Sequence, residues 1–353
     1  MQESAPGTPG LFPPGFVTAT CRCVAWWRMS TAETLALAPL TRDLDRVETT
    51  LKDAVRHPDH FLGEVVSHLV EAGGKRIRPT LTLCATYAST NGDSPATDAA
   101  VVGAVAVELV HLGSLYHDDV IDEAETRRGV PSVNARWSNI VAILSGDYLL
   151  ARASALAASL GADVAGLLAD TIGELCRGQV LELQHLYDVA RSEEDYHSTI
   201  EGKTASLFAT ACRIGGMVSA VDEPTLDALT RYGHHLGMCF QIVDDCLDLT
   251  ATDEALGKAS GQDLAEGIYT LPVIYAVTEM PELRDLLGGP VDRDRLAEAR
   301  RLATMNGAVT AALAVARDHA TKAGEALAGA DRLDGAVTAG LQRLVGGLVS
   351  RDR

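Results

Sequence analysis

Two aspartate-rich stretches carry the chemistry this chain can do: Asp118-Asp119-Val120-Ile121-Asp122 and Asp244-Asp245-Cys246-Leu247-Asp248, both DDxxD. At 3.6 residues per turn Asp118 and Asp122 share a helix face, as do Asp244 and Asp248. His111 lies two turns before Asp118 on roughly that face, Arg127 and Arg128 follow just beyond, and Gln241 precedes the second cluster by one turn. Three carboxylates so close repel one another unless a cation neutralises them. A single cluster is most simply a solvated helix end. Here, however, residues 101–115 are almost wholly apolar, which sets the first cluster at the mouth of a core helix, and the second copy also ends an apolar segment. Hard oxygen ligands in two facing sets suit Mg²⁺, which keeps several waters and is readily shared with phosphates. The architecture implied is two carboxylate walls holding metal ions, with a diphosphate held by the metals.

A second feature is Gly73-Gly74-Lys75-Arg76-Ile77-Arg78-Pro79. It reads either as a glycine helix cap followed by a solvated basic turn or as an anion clamp. In the clamp the glycines let backbone approach a ligand, Lys75 supplies a compact charge and Arg78 a fork matched to a phosphate edge. Lys203-Thr204 matters only if its helix lines the same cavity. Gln179 and Glu182 could reach that cavity or form a structural network. Lys258 and Asp263 sit in a polar loop able to close over a ligand.

The elements that must position these groups are helical. The chain has 353 residues, 47% apolar and 5% aromatic, with Ala and Leu abundant and no β-alternating run of useful length. Helices are expected at residues 31–57, 61–71, 80–89, 96–122, 133–160, 162–188, 192–219 and 226–249, with further helices over 271–351. Gly146 in the fifth is expected to allow close packing, with Asp147 in a core hydrogen bond. About ten or more helices joined by short loops make one all-α domain, residues 29–353. Residues 1–28, crowded with Pro and Gly, read as a disordered or mis-set N-terminal extension lacking the layout of a signal peptide.

The net charge of −18 argues against nucleic acid as a partner. A small anion is not excluded if the basic residues gather in one place. Seven cysteines, without zinc-ligand spacing and mostly in apolar surroundings, fit a reducing cytoplasm. No uninterrupted apolar run reaches the roughly 18–20 residues that span a bilayer.

With these motifs in hand, including the string ExxHxxSLxHDDVxDxxxxRRG, the chain resembles the trans-isoprenyl diphosphate synthases of the polyprenyl synthetase family from about residue 30 onward. The resemblance implies a helical bundle around a deep central cavity and a homodimer. It also implies head-to-tail condensation of isopentenyl diphosphate onto an allylic diphosphate, with transient membrane contact for product release. By the same resemblance Asp118, Asp122 and Asp244, with Asp248 close by, hold about three Mg²⁺ on the allylic diphosphate, and Asp119 and Asp245 complete the catalytic clusters. Lys75, Arg78, His111 and Arg128 bind isopentenyl diphosphate. Arg127, the catalytic Lys203, Thr204, Gln241 and Lys258 bind or enclose the allylic diphosphate. Charge nearly balances: six aspartates and two diphosphates bring roughly −12, against about +12 from three Mg²⁺ and six basic side chains. One departure is Ile268, where the family commonly has Lys before Thr-Leu-Pro; it implies weaker closure over the allylic substrate.

Chain length is expected to follow from Gly113 and Ser114, which lie one to one-and-a-half turns below Asp118. In the family an aromatic residue there stops the growing tail; its absence implies a product of roughly C30 to C50. Two rivals remain. A class I terpene cyclase uses similar acid clusters but leaves the basic motif and His111 unexplained. A non-catalytic partner subunit of a heteromeric synthase commonly loses one cluster, and both are intact here.

Overall fold

The computed structural model describes residues 34–88, 94–251, 261–330 and 333–349; the N-terminal extension and Lys258 lie outside them. The first long helices are α1 (Leu40–Ala54), α2 (His60–Glu71), α3 (Ile77–Tyr87) and α4 (Asp98–Ile121). A short hairpin, β1 (Thr126–Arg127) and β2 (Val130–Pro131), then leads to α5 (Val133–Arg136), α6 (Asn139–Ser159) and α7 (Ala162–Gln184). Next come α8 (Glu193–Ile200), a π-helical turn (Glu201–Ala205), α9 (Ser206–Val218) and α10 (Glu223–Thr250). The remainder is α11 (Gln262–Glu266), α12 (Leu271–Glu279), α13 (Pro281–Leu286), α14 (Arg293–Ala303), α15 (Ala308–Ala328) and α16 (Gly335–Val349). The all-α expectation holds, and the two-residue strands are its only departure among the described residues.

Local chemistry explains where expected helices break. The helix expected over 31–57 is interrupted after Leu35 and restarts at Leu40, because Ala36 is left-handed and Pro39 takes the N-cap position of the new helix. The one expected over 133–160 divides because Ser138 caps a new helix, accepting from the Val141 amide at 3.3 Å. That expected over 192–219 begins with a capping box between Ser192 and Asp195 and then widens into the π turn.

Helix α4 is the centre of the bundle. Nearly all its residues from Ala100 to Gly113 are buried, and it packs against α1, α3, α6 and α9. Helix α10 packs against α9, α15 and the π turn, so α9 touches both acid-bearing helices. Small residues allow these close approaches: a Cβ on Gly113 would stand 3.1 Å from the Gly146 carbonyl of α6, and one on Gly237 would stand 2.6 Å from the Ala205 Cα.

Two helices qualify the expectation about apolar runs. Taken by length and mean hydropathy, α4 and α6 are each apolar enough to cross a membrane. In α4 that apolarity serves burial, with 72% of the relevant window inside the fold. In α6 only 33% is inside, and Ile140, Ile143 and Leu144 stay exposed beside Val180 and Leu183 of α7. Asp147 is exposed too; it pairs with His117 at 3.3 Å instead of making a core hydrogen bond.

Candidate active site

The first acid cluster ends α4. Asp119 is fully buried and accepts from Arg127 Nε at 2.6 Å, while its Oδ2 has no hydrogen-bond partner among the described residues. Arg127 also reaches Asp122 at 3.9 Å. Its neighbour Arg128 is turned the other way by the hairpin, whose two central residues, Arg128 and Gly129, both have positive φ. A non-glycine residue held there costs on the order of 1 kcal/mol. The strained turn therefore sends consecutive arginines to opposite tasks: Arg127 to the acids, and Arg128 to the carbonyls of Leu69 and Gly73.

Lys203 lies beside the first cluster, with Asp118 and Asp122 both acting on its charge. The π turn that carries it packs on α7 through Gly178 and Gly202, where a Cβ on Gly202 would stand 2.8 Å from the Glu174 carbonyl. Held there, Lys203 ion-pairs with Glu182. Burial opposes the lysine's charge, but Glu182 and Asp118 more than offset it and raise its pKa. Asp118 is pushed up to about 6, chiefly by burial; Lys203 opposes that shift and Asp122 adds to it.

In the second cluster both oxygens of buried Asp245 are taken. Tyr196 donates its hydroxyl to Oδ2 at 2.6 Å and Gln241 donates to Oδ1 at 2.7 Å, with Thr204 in turn donating to Gln241 at 2.7 Å. Burial raises the Asp245 pKa, and the two donors hold it back. Asp248 accepts from the Asp263 amide at 3.3 Å, which ties the cluster to the first turn of α11. Asp244 acts electrostatically on Lys75, whose ammonium is lowered to about 7 by the surrounding atoms against that attraction.

Asp122 of the first cluster and Gln241 and Asp245 of the second line one cavity of about 100 Å³, together with Glu182, Lys203 and Ile268. The basic motif divides its labour. Arg76 is structural: left-handed and buried, it pairs with Glu48 and, at 2.8 Å, with Glu108. Arg78 is free of that network; its guanidinium lies 4.8 Å over the Phe208 ring, its Nε is buried without a hydrogen bond, and burial lowers its pKa to about 10. His111 is held neutral by burial and by the charges of Arg78 and Arg128. Gly74 is needed beside them, since a Cβ there would lie 2.9 Å from the Arg128 guanidinium.

Gly113 faces Gly146 and Leu150 of α6. Ser114 is partly accessible and bonds to the His111 carbonyl at 2.9 Å. Two residues that contribute here, Tyr196 and Arg191, carried no sequence signal. Arg191 sits on the segment between α7 and α8, is buried, and donates to the Tyr269 carbonyl at 3.1 Å and to Thr199 at 2.8 Å.

Among the described residues no three His, Cys, Asp or Glu side chains converge on one point. The clusters thus form no closed protein cage. They fit divalent ions whose remaining positions go to water and to substrate phosphate oxygens, as Mg²⁺ prefers. Asp118, with its carboxyl pushed up by burial, would be stabilised as the anion by such a charge.

The polyprenyl synthetase family model matches residues 59–303, a span that holds both clusters, the basic motif and Lys203. The chain belongs to the polyprenyl synthetase family. It is 42% identical over 264 residues to a nonaprenyl diphosphate synthase of Mycobacterium tuberculosis, covering 74% of this chain and 77% of that protein. It is 44% identical over 241 residues to heptaprenyl diphosphate synthase component 2 of Geobacillus stearothermophilus, covering 68% and 74%. The fold matches a polyprenyl synthase of Caulobacter crescentus, solved with calcium and isoprenyl diphosphate, with a TM-score of 0.82 and 31% identity over 95% of this chain and 99% of that one. This polyprenyl synthetase is accordingly an enzyme of prenyl transfer.

Proposed function

We propose that the chain condenses isopentenyl diphosphate head-to-tail with an allylic diphosphate, giving an all-trans polyprenyl diphosphate of roughly C30 to C50. The observation that carries this reading is two separate clusters of charged groups, set along one helix. Acids and Lys203 gather at the end of α4, while His111 stands seven residues, or roughly 10 Å, further down among Arg78 and Arg128. One diphosphate would explain the first site alone; a cyclase has no use for the second.

Asp118, Asp122, Asp244 and Asp248 would hold Mg²⁺, about three ions. When bound, these ions neutralise the charge that develops on the leaving diphosphate. Lys203 adds a fixed positive charge at the same cavity, and Glu182 holds it in place. Thr204 and Gln241 keep Asp245 oriented, so that Asp244 and Asp248 on the same helix are presented as a pair. Arg78, Arg128 and neutral His111 form a desolvated donor set for the second diphosphate, with Lys75 at its rim. Holding both substrates in adjoining sites supplies the proximity that the bimolecular step needs.

Gly113 and Ser114 put no ring below the acids, in keeping with the long product. The exposed apolar residues of α6 and α7 support pairing with a second copy of the chain. The name of the Geobacillus relative, component 2, supports an unlike partner as a second reading; light scattering of the purified chain separates the two. We place the chain in a reducing cytoplasm, where its cysteines, four of the five described being buried, would stay thiols. The test is to incubate purified protein with Mg²⁺, labelled isopentenyl diphosphate and a series of allylic primers. Mg²⁺-dependent incorporation into a C30 to C50 ladder is expected. Loss of diphosphate from the primer without incorporation would instead indicate a cyclase.

A further inference from the structure

His235 on α10 and His319 on α15 face each other with their Nδ1 atoms 3.1 Å apart. Two neutral rings so placed share a proton: one Nδ1–H donates to the lone pair of the other. The same separation suits two nitrogens on one metal ion. Metal–nitrogen bonds of about 2.0–2.1 Å, at angles between right and tetrahedral, put their donors roughly 2.9–3.4 Å apart. We propose that His235 and His319 form a two-imidazole site for a borderline divalent transition metal of the Zn²⁺, Ni²⁺ or Cu²⁺ class, separate from the carboxylates of the active site.

The surroundings fit an accessible, neutral pair. Both rings are half-buried, and they tilt against each other with centroids 5.3 Å apart. Burial is the main cause that lowers each to about 4, so both carry the free lone pair that a metal needs at neutral pH. His197 is the next imidazole, its centroid 6.2 Å from that of His319 and its Nε2 buried without a hydrogen bond. His234 is adjacent to His235 but turns its Nε2 to Glu201 at 3.2 Å. No third donor converges on the pair among the described residues, so water fills the remaining positions. Lys322, paired with Asp318 at 2.6 Å, adds a positive charge nearby that keeps the affinity moderate.

Binding needs a turn of both rings toward a common point off the line between the nitrogens, and one proton shift that balances without loss of a proton. The hydrogen on the donating Nδ1 moves to Nε2 of the same ring, and both Nδ1 lone pairs then face the ion. Imidazole favours these metals, with Cu²⁺ bound most tightly, whereas the carboxylates favour Mg²⁺. Because α10 also carries Asp244 and Asp248, an ion bridging α10 to α15 clamps the helix of the second cluster and raises the unfolding temperature.

The test titrates the full-length protein with Cu²⁺ and with Zn²⁺ while excess Mg²⁺ occupies the carboxylates. Binding is followed by calorimetry and by the electron paramagnetic resonance of the Cu²⁺ form. One site with coupling to imidazole nitrogens is expected, weakened at least about tenfold in His235→Ala and in His319→Ala. Both variants should retain Mg²⁺-dependent turnover, and the milder His319→Gln should also lose the coupling to one of the two nitrogens, which covers any loss of folding in the alanine forms. Oxygen-only coupling, no binding, or binding undiminished in the variants would each overturn the assignment.

Discussion

The Tyr196 hydroxyl donates to Oδ2 of Asp245 across 2.6 Å, joining the start of α8 to the helix of the second acid cluster. With Gln241 on the other oxygen, it takes up Asp245 entirely. Asp245 therefore acts as the brace of its cluster, and in the proposed function Asp244 and Asp248 are the pair that would meet the ligand. Removing the donor in Tyr196→Phe strands a buried carboxylate oxygen, at a cost of about 1–3 kcal/mol. Chemical denaturation should show that loss, together with a fall of about tenfold in turnover. Unchanged stability and turnover would mean that the brace does not matter.

Lys203 and Glu182 form the other brace, and stability and activity should separate there. Lys203→Met leaves Glu182 without its partner and should destabilise the fold by up to roughly 3 kcal/mol. It should also raise the KM for the allylic substrate. Adding Glu182→Gln should restore most of the stability but not the KM. Recovery of both would assign Lys203 a purely structural part.

The acid cluster gives a signed pH dependence. Asp118 titrates at about 6, raised from 3.8 chiefly by burial. Between those values the unfolded chain has released a proton that the folded chain keeps, so this group's contribution to the stability of the metal-free protein falls as pH rises through that window. Protons and metal compete for the same carboxylate, so the Mg²⁺ needed for half-maximal turnover should climb about tenfold per pH unit below about 6. Activity measured against Mg²⁺ at several pH values checks this, and a flat requirement would contradict it.

Ile268 lies in the cavity with Asp122 and Lys203, where an ammonium could reach a bound anion. Ile268→Lys should lower the KM for the allylic diphosphate several-fold, more at low salt than at high salt. An unchanged KM would show that the loop closes adequately without the charge.

Product length tests the stretch below Asp118. Gly113→Tyr must displace Leu150 and press on the Gly146 carbonyl, so it should shorten the product and cost about 1–3 kcal/mol through overpacking. Ser114→Phe, at a partly accessible position, should shorten the product at less cost. Product chromatography and thermal melts read the two effects separately, and unaltered length in both variants would place the floor elsewhere.

Much of this site was legible in residue types and spacing. DDxxD on an apolar helix has few uses, and both copies open onto one cavity. What spacing could not reveal depends on backbone geometry. The π turn at Glu201–Ala205 shifts the register that would have aimed Lys203, and the left-handed Arg128 reverses its direction relative to Arg127. Arg76 reads like its neighbours Lys75 and Arg78, yet Glu48 and Glu108, 28 and 32 positions away, claim it. Pro39 and Ser138 break helices that hydrophobic periodicity alone would continue.

The proposed arrangement has both acid clusters gripping one diphosphate through shared metal ions. It is met most directly by a crystal structure with Mn²⁺ in place of Mg²⁺ and an allylic thiolodiphosphate that cannot ionise. Anomalous peaks should lie against Asp118 and Asp122 on one side and Asp244 and Asp248 on the other, with the same diphosphate bridging them. Metal confined to one cluster, or a diphosphate touching only one, would contradict it.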